Sequence, residues 1–506
     1  MGRLAVTVSL SILIQACASP PGGSLVGSPD AGLPVSRHLA VDPHAEMLRA
    51  GAAPVLLTAT LTGAEDRISW SLSGPGSLGS TSGDTVSYTP PDTIDATAVA
   101  TVTASAPPDL VDVVTITVVP AAAIDVAGRV VGPTGAGLAG LTVGVGGKTA
   151  VSGADGRFSI PAVLAPYDLT VSLAGTPLYV GRYEGLTRPD PTISFLWLFS
   201  SGEPNTATIS GTVSGGDEVG AAGEFTTAIF TTSDVRFDLT AIGITARNNP
   251  FTFPVSWFGQ ESITAAVHVV QFKSQGPGQP PTEYTGYGVH SGIALGKGAA
   301  VESADVTLTR PGTGTIGGTV VPPDGYALTL ESLGLELAGL TAVPLGHVET
   351  SATDFTFAVP EGIDAVAAVT VTAQRAGGGS TSRRVSGLTA GQSDVSIPLP
   401  VPALQTSPVD GAGGVNDATV FSWTPVEHGV HLVLLDGGAT SPSFYVVTAA
   451  TSARIAGLPG GATYHWLVGG FGPFDSVDAF AGGPNLFPAL GSSFTTVSEQ
   501  RSFVVD

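Results

Sequence analysis

Residues Gly135–Ala150 read GAGLAGLTVGVGGKTA, and the fold class turns on this stretch. Gly135, Gly137 and Gly140 fit the dinucleotide pattern G-x-G-x-x-G, and Gly147-Lys148-Thr149 reads as the end of a phosphate-binding loop. Both motifs need a helix behind the glycines, because its N-terminus holds the phosphates. Gly140 is succeeded by LTVGVGG, which alternates like a strand and has no helical period. The phosphate loop also requires a glycine five residues before Gly147, where Thr142 stands. Lys148 would therefore have neither a helix dipole nor a Mg²⁺-binding neighbour. Both motifs read as turns between strands, which predicts neither nucleotide nor any other cofactor.

The rest of the chain agrees with strands. Charged residues make up 12 % of the 506 residues, while Gly (68) and Pro (39) are abundant among Val, Thr, Ser and Ala. Such residues suit pleated sheets joined by tight corners, and the length calls for several domains. With 19 basic against 41 acidic residues the net charge is −22. No basic stripe is available to hold a phosphate backbone, so nucleic acid is excluded as a partner.

The N-terminus MGRLAVTVSLSILIQACASPPGG has one early Arg and an apolar run from Leu4 to Ile14. The run is too short for a membrane helix and suits the core of a signal peptide. It ends at Ile14-Gln15-Ala16-Cys17, which resembles the bacterial lipobox, and Cys17 is the only cysteine. The resemblance implies a signal peptide over 1–16, a lipid (diacylglyceryl and fatty acyl) anchor on Cys17 and a membrane as partner. It places the protein in the bacterial cell envelope, at the outer membrane or cell surface. Residues 17–37, rich in Pro, Gly and Ser, read as a flexible tether.

Residues 38–120 alternate apolar and polar residues between turn signals. Trp70 in ISWSLSG, Tyr88 in VSYTPP and the closing TITVVP resemble the core Trp, core Tyr and last strand of bacterial Ig-like domains. An internal repeat occupies the middle of the chain. Its openings are VAGRV (126–130), ISGTV (209–213) and IGGTV (316–320), and its aromatic strands are RFSIP (157–161), PFTFP (250–254) and DFTFAVP (354–360). The first copy, with GRVVGPTGAGLAGLTV and SGADGRFSIPAV, resembles the carboxypeptidase regulatory-like domain, a transthyretin-like sandwich. The boundaries are 123–200, 203–310 and 314–400. The middle copy carries KSQGPGQPPTEYTGYG, expected as a protruding loop. Residues 402–506 resemble a fibronectin type III sandwich, with Trp423 and the run GLPGGATYHWLV. The expectation is an all-β tandem array of about five β-sandwich modules. Short Pro- and Gly-rich junctions would set them in line, on the order of 125–200 Å long.

No catalytic constellation appears. His428 and His431 share the H-x-x-H spacing of a metal pair, but a spacing of three puts them on opposite faces of a strand, so no metal site is expected. The chain reads as non-catalytic, a structural or adhesive stalk. An alternative is a carbohydrate- or protein-binding envelope component, with a glycan or surface protein as partner. It would use Trp257, Phe258, Tyr284 and Tyr287 of the middle module, because Tyr and Trp join an apolar face to a polar tip. Against it, Phe251, Phe253 and Trp257 fall on alternate positions of one strand and suit its core. An enzyme with an unfamiliar site is the third reading, to be recognised by a pocket of convergent titratable groups.

Overall fold

The computed structural model describes residues 38–43, 45–62, 67–107, 110–132, 135–175, 178–196, 204–232, 241–245, 249–257, 261–337, 342–482 and 492–506. The signal peptide, Cys17, the tether and Phe258 lie outside the described residues. Among the described residues the chain is all-β, with one short helix, Val477–Phe480, and no helix long and apolar enough to cross a membrane.

The glycine-rich stretch 135–150 ends in a hairpin. Thr142–Val145 pairs antiparallel with Lys148–Val151, and the two are joined by Gly146 and Gly147 at φ +55° and +81°. Two successive left-handed residues make the turn whose twist matches the strands, and glycine adopts them at no steric cost. The Lys148 ammonium donates to the carbonyls of Pro161 and Ala162, at 2.7 and 2.8 Å.

Residues 38–119 form two four-stranded sheets around Trp70 and Tyr88. Trp70 Nε1–H donates to the Gly83 carbonyl (2.7 Å) and the Tyr88 hydroxyl to that of Pro75 (2.6 Å). Each polar tip is thus satisfied at the edge of an apolar core.

The three repeats share one topology. In each, the opening strand or strand pair binds the aromatic strand antiparallel and the closing strand parallel. Ile124–Val126 meets Ile160–Val163, and Arg129–Val131 meets Thr192–Ser194. Asn205–Gly211 meets Phe251–Trp257, and Val213–Gly215 meets Val306–Leu308. Gly312–Val321 meets both Asp354–Glu361 and Val395–Pro398. The other sheet has four strands with the second at its edge. In the first repeat these are Thr142–Val145, Lys148–Val151, Tyr167–Leu173 and Tyr179–Leu186. In the second they are Glu224–Thr231, Ala241–Ile244, Ser262–Ser274 and Pro281–Gly296, and in the third Tyr326–Leu337, Ala342–Val348, Ala365–Arg375 and Ser380–Leu388.

The modules do not stand in line. The C-terminal module adds its strands to two repeats at once. Ser443–Thr448 pairs parallel with Tyr179–Leu186 of the first repeat, and Ser493–Val497 pairs antiparallel with Ser380–Leu388 of the third. One 14-stranded sheet therefore runs through three modules. The second repeat lies face-on to the third, with Ile229, Val270, Phe272 and Tyr284 inside the third repeat's core cluster. The expected protruding loop is instead a hairpin turn resting on that repeat: His347 N–H donates to the Gly278 carbonyl at 2.9 Å. The reason is edge chemistry, since an unpaired strand edge gains by hydrogen bonding to another.

A sheet path of twelve strands, at ~4.8 Å spacing, spans only about 53 Å. For residues 38–506 we expect a small-angle scattering radius of gyration of roughly 25–32 Å, against ~23 Å for a single compact body. A rod of 125 Å or more would give about 36 Å or above. A value in the rod range contradicts the shared sheet.

Candidate functional site

The aromatics of the middle repeat are placed by period-two alternation. Along Phe251–Trp257 the inward positions are Phe251, Phe253, Val255 and Trp257, and Trp257 is 0 % exposed in the repeat's own core. Tyr284 is also buried, between the second and third repeats, with its N–H on Thr313 Oγ1 (2.9 Å) and its hydroxyl donating to the Ala358 carbonyl (3.3 Å). Tyr287 is half-buried at the same boundary. The stacking surface expected from Trp257 and Tyr284 is therefore not formed. One ring belongs to a core, and the third repeat covers the other. Among the described residues every Trp is buried and no aromatic side chain reaches the exposed class. Trp257→Ala should cost about 3–5 kcal/mol, read as an early transition of the second repeat in urea. An unchanged unfolding curve would return Trp257 to the surface.

Polar side chains gather inside the second repeat, at the end next to its junction with the third. Gln271, fully buried, accepts from Asp217 N–H (2.8 Å) and donates to the Asp217 carbonyl (3.0 Å) and Thr226 Oγ1 (3.1 Å). Asp217 and Glu283 then bridge two cations. Lys273 Nζ lies 2.9 Å from Glu283 and 3.8 Å from Asp217, and Arg310 lies 3.1 Å from Asp217 and 3.4 Å from Glu283. The hydrogen bond between them raises the Lys273 pKa and lowers that of Glu283. Arg310 belongs to the junction TRPGTG, so the cluster fastens that junction to the sheet. Exposed pairs of this kind contribute little energy and chiefly set position. Nearby, buried Glu224 accepts from the Thr285 hydroxyl.

His268 and Tyr287 meet at 2.9 Å, Nδ1 to hydroxyl. Burial drives the His268 pKa down to about 4, opposed by the Asp364 charge, and raises that of Tyr287 to about 12. Both groups are neutral at physiological pH, so neither is poised to exchange a proton there. His428 and His431 are separated. His428 is exposed in a turn at φ +52°, whereas His431 is buried and its Nε2 accepts from Val426 N–H (3.1 Å). Among the described residues no group of three His, Cys, Asp or Glu side chains is arranged to hold a metal.

Sequence reading missed the contact that joins the C-terminal module to the first repeat. Asp478, in the helix Val477–Phe480, accepts from the Thr187 N–H (2.9 Å), the Thr187 hydroxyl and the Arg188 N–H (3.3 Å). The Arg188 guanidinium donates to the Asp478 carbonyl at 3.0 Å, and Phe480 enters the first repeat's core. Tyr445 reaches across to the Ser194 carbonyl (2.7 Å), its ring lying where a Cβ on Gly181 would stand. The signal was the extra-long segment GPFDSVDAFAGGPNLFPAL with its Ser476 cap.

No known family matches the chain, and no curated protein matches it. Among solved structures it is similar to the Bacillus anthracis TIE protein, at 9 % identity over 74 % of this chain and 75 % of that one, with a TM-score of 0.14. A tetra-tandem repeat from the extending region of a large adhesion protein gives 12 %, 82 %, 97 % and 0.14. A Bacteroides ovatus protein of a mixed-linkage glucan utilization locus, SGBP-B in complex with a heptasaccharide, gives 13 %, 66 %, 99 % and 0.13. Superpositions this loose assign neither family nor activity; the all-β sandwich architecture rests on this chain's own strands.

Proposed function

We propose that the protein is a non-catalytic lipoprotein of the bacterial envelope, with a structural or adhesive role. In this reading its modules are 38–120, 123–200, 203–310, 314–400 and 402–506, carried on a tether from a lipidated Cys17. The observation that supports it most is the sheet shared by three modules. Interlocked edges and common cores resist relative motion of modules, which suits a body that bears load or presents a fixed surface. Load-bearing here belongs to a knitted block on a tether, and the in-line stalk is set aside. The glycan-binding alternative loses its main support, because Trp257 and Tyr284 are enclosed.

The anchor is tested by Cys17→Ser. The variant should move from the detergent phase to the aqueous phase in a detergent partition, with an unchanged melting curve, since no described strand depends on that residue. Equal retention of variant and parent in the detergent phase would remove the lipoprotein reading.

A further inference from the structure

The third repeat breaks the strand rule at one end. Along Asp354–Glu361 the inward positions are Phe355, Phe357 and Val359, and the same face runs out at Glu361, which is exposed to solvent at the open end of the sandwich. Its partner strand Gly312–Val321 runs inward through Val320 and Ile316 to Gly314 and Gly312. An apolar pair would close this end of the sandwich. Instead a carboxylate lies folded over two glycines. A Cβ on Gly314 would stand 2.3 Å from Glu361 Oε1, and one on Gly312 2.8 Å from Oε2. Bare backbone is what lets the carboxylate lie there.

Behind it the two sheets part around a cavity of about 290 Å³. Leu335, Val359, Ile363, Ala367 and Leu388 supply its apolar side chains, Thr389 and the backbone of the 360–362 turn its polar groups, and exposed Glu361 stands at its open rim. That volume exceeds the ~150 Å³ that suffices for a benzene-sized guest. No described Lys or Arg answers Glu361: Arg310, just ahead of the glycine-bearing strand, is held by Asp217 and Glu283. Asp364 adds a second negative charge to the same turn. A recess with apolar side chains inside and a single charged group at its mouth has the form of a small-molecule site.

We propose that this cavity binds a primary alkylammonium group, its aliphatic chain between Leu335, Ala367 and Leu388 and its ammonium on Glu361. The chemistry is that of a short aliphatic amine or of a lysine side chain, which is a butylammonium on a backbone. The site goes beyond the structural reading above and does not depend on Cys17 or on the anchor.

Ligand-detected saturation-transfer NMR on residues 38–506 tests it with n-butylammonium as probe. Binding should be saturable, with each methylene from ethyl- to butylammonium strengthening it about fourfold. n-Butanol should bind about two- to fivefold more weakly, the share of an exposed ion pair, and butyrate more weakly still. Glu361→Gln should remove the preference for the cation while leaving the melting temperature unchanged, and Ala367→Phe, filling the cavity from the other sheet, should abolish binding of all probes. Putrescine and a doubly blocked lysine distinguish the sources: whichever binds more tightly identifies a free amine or a protein lysine as the natural guest. Absence of saturation with butylammonium, equal binding of butanol, or Glu361→Gln with unaltered preference would each overturn the proposal.

Discussion

Removing residues 402–506 should leave self-associating material and unfold the first repeat. The C-terminal module covers the edge strand Tyr179–Leu186 on one side and Ser380–Leu388 on the other. Its loss leaves two rows of unpaired N–H and C=O groups on strands of eight and nine residues, the kind of edge that templates pairing between chains. The first repeat also loses core. Leu432, Tyr445, Phe471 and Phe480 are buried in its cluster, and each such side chain contributes about 1.5–3 kcal/mol on burial. The sum, on the order of 6–12 kcal/mol, is comparable to the whole stability of a domain, ~5–15 kcal/mol. Light scattering after size exclusion should show a concentration-dependent mass for 38–401, and its first melting transition should fall well below that of 38–506. Phe480→Ala in the full chain isolates the packing share, at about 3–5 kcal/mol. A monomeric 38–401 that melts like its parent would mean the shared sheet adds nothing to stability.

Acidification from pH 7 to 5 should loosen the C-terminal module and spare the third repeat. His431, buried beside Trp423, has its pKa pushed down to about 4 by burial, partly offset by the carbonyls of Ala450 and Thr448. The unfolded chain takes up a proton near pH 6.5 and the native state does not, so stability falls as pH drops from 6.5 toward 4. At pH 5 the loss is about 2 kcal/mol. His268 imposes a similar loss at the repeat boundary, but Glu331 opposes it. Burial raises the Glu331 pKa to about 7. A carboxyl so raised stabilises the fold below its unfolded value and loses that contribution as pH rises through 7. Lowering the pH to 5 therefore restores about 2 kcal/mol in the third repeat, against the loss that His268 imposes in the second. Hydrogen exchange at the two pH values, corrected for intrinsic rates, should show faster opening of Val430–Asp436 and little change in Tyr326–Leu337. His431→Gln should abolish the difference, and equal acid sensitivity in both regions would refute the assignment.

Much of the fold was legible because strand order is local. Resemblance to sandwich families put Trp70 and Trp423 in their cores, alternation put Phe253 and Trp257 inward against the rival ligand-binding reading of Trp257, and paired glycines at 146–147 marked a hairpin where a nucleotide loop was the rival. The shared opening, aromatic and closing strands of the repeats showed in sequence because each must fill the same position in its own sandwich. A further signal lay in Val267–Phe272, VHVVQF, where alternation gives way to a run buried on both faces. Such a run tells of a second covering layer, and that layer proved to be the third repeat.

What the sequence by itself determined is the all-β class, the repeat and which face of each strand turns inward. Period two separates the two faces of a strand and says nothing about what lies beyond the outer face or past the edge. The tertiary structure decided that Tyr284 is enclosed by a neighbouring module, that the C-terminal module lies between the first and third repeats, and that Glu361 stands over Gly312 and Gly314 at an open sandwich end. Each of these joins residues far apart in the chain, and edge hydrogen bonds use backbone groups that every residue carries. No residue type marks such a contact in advance.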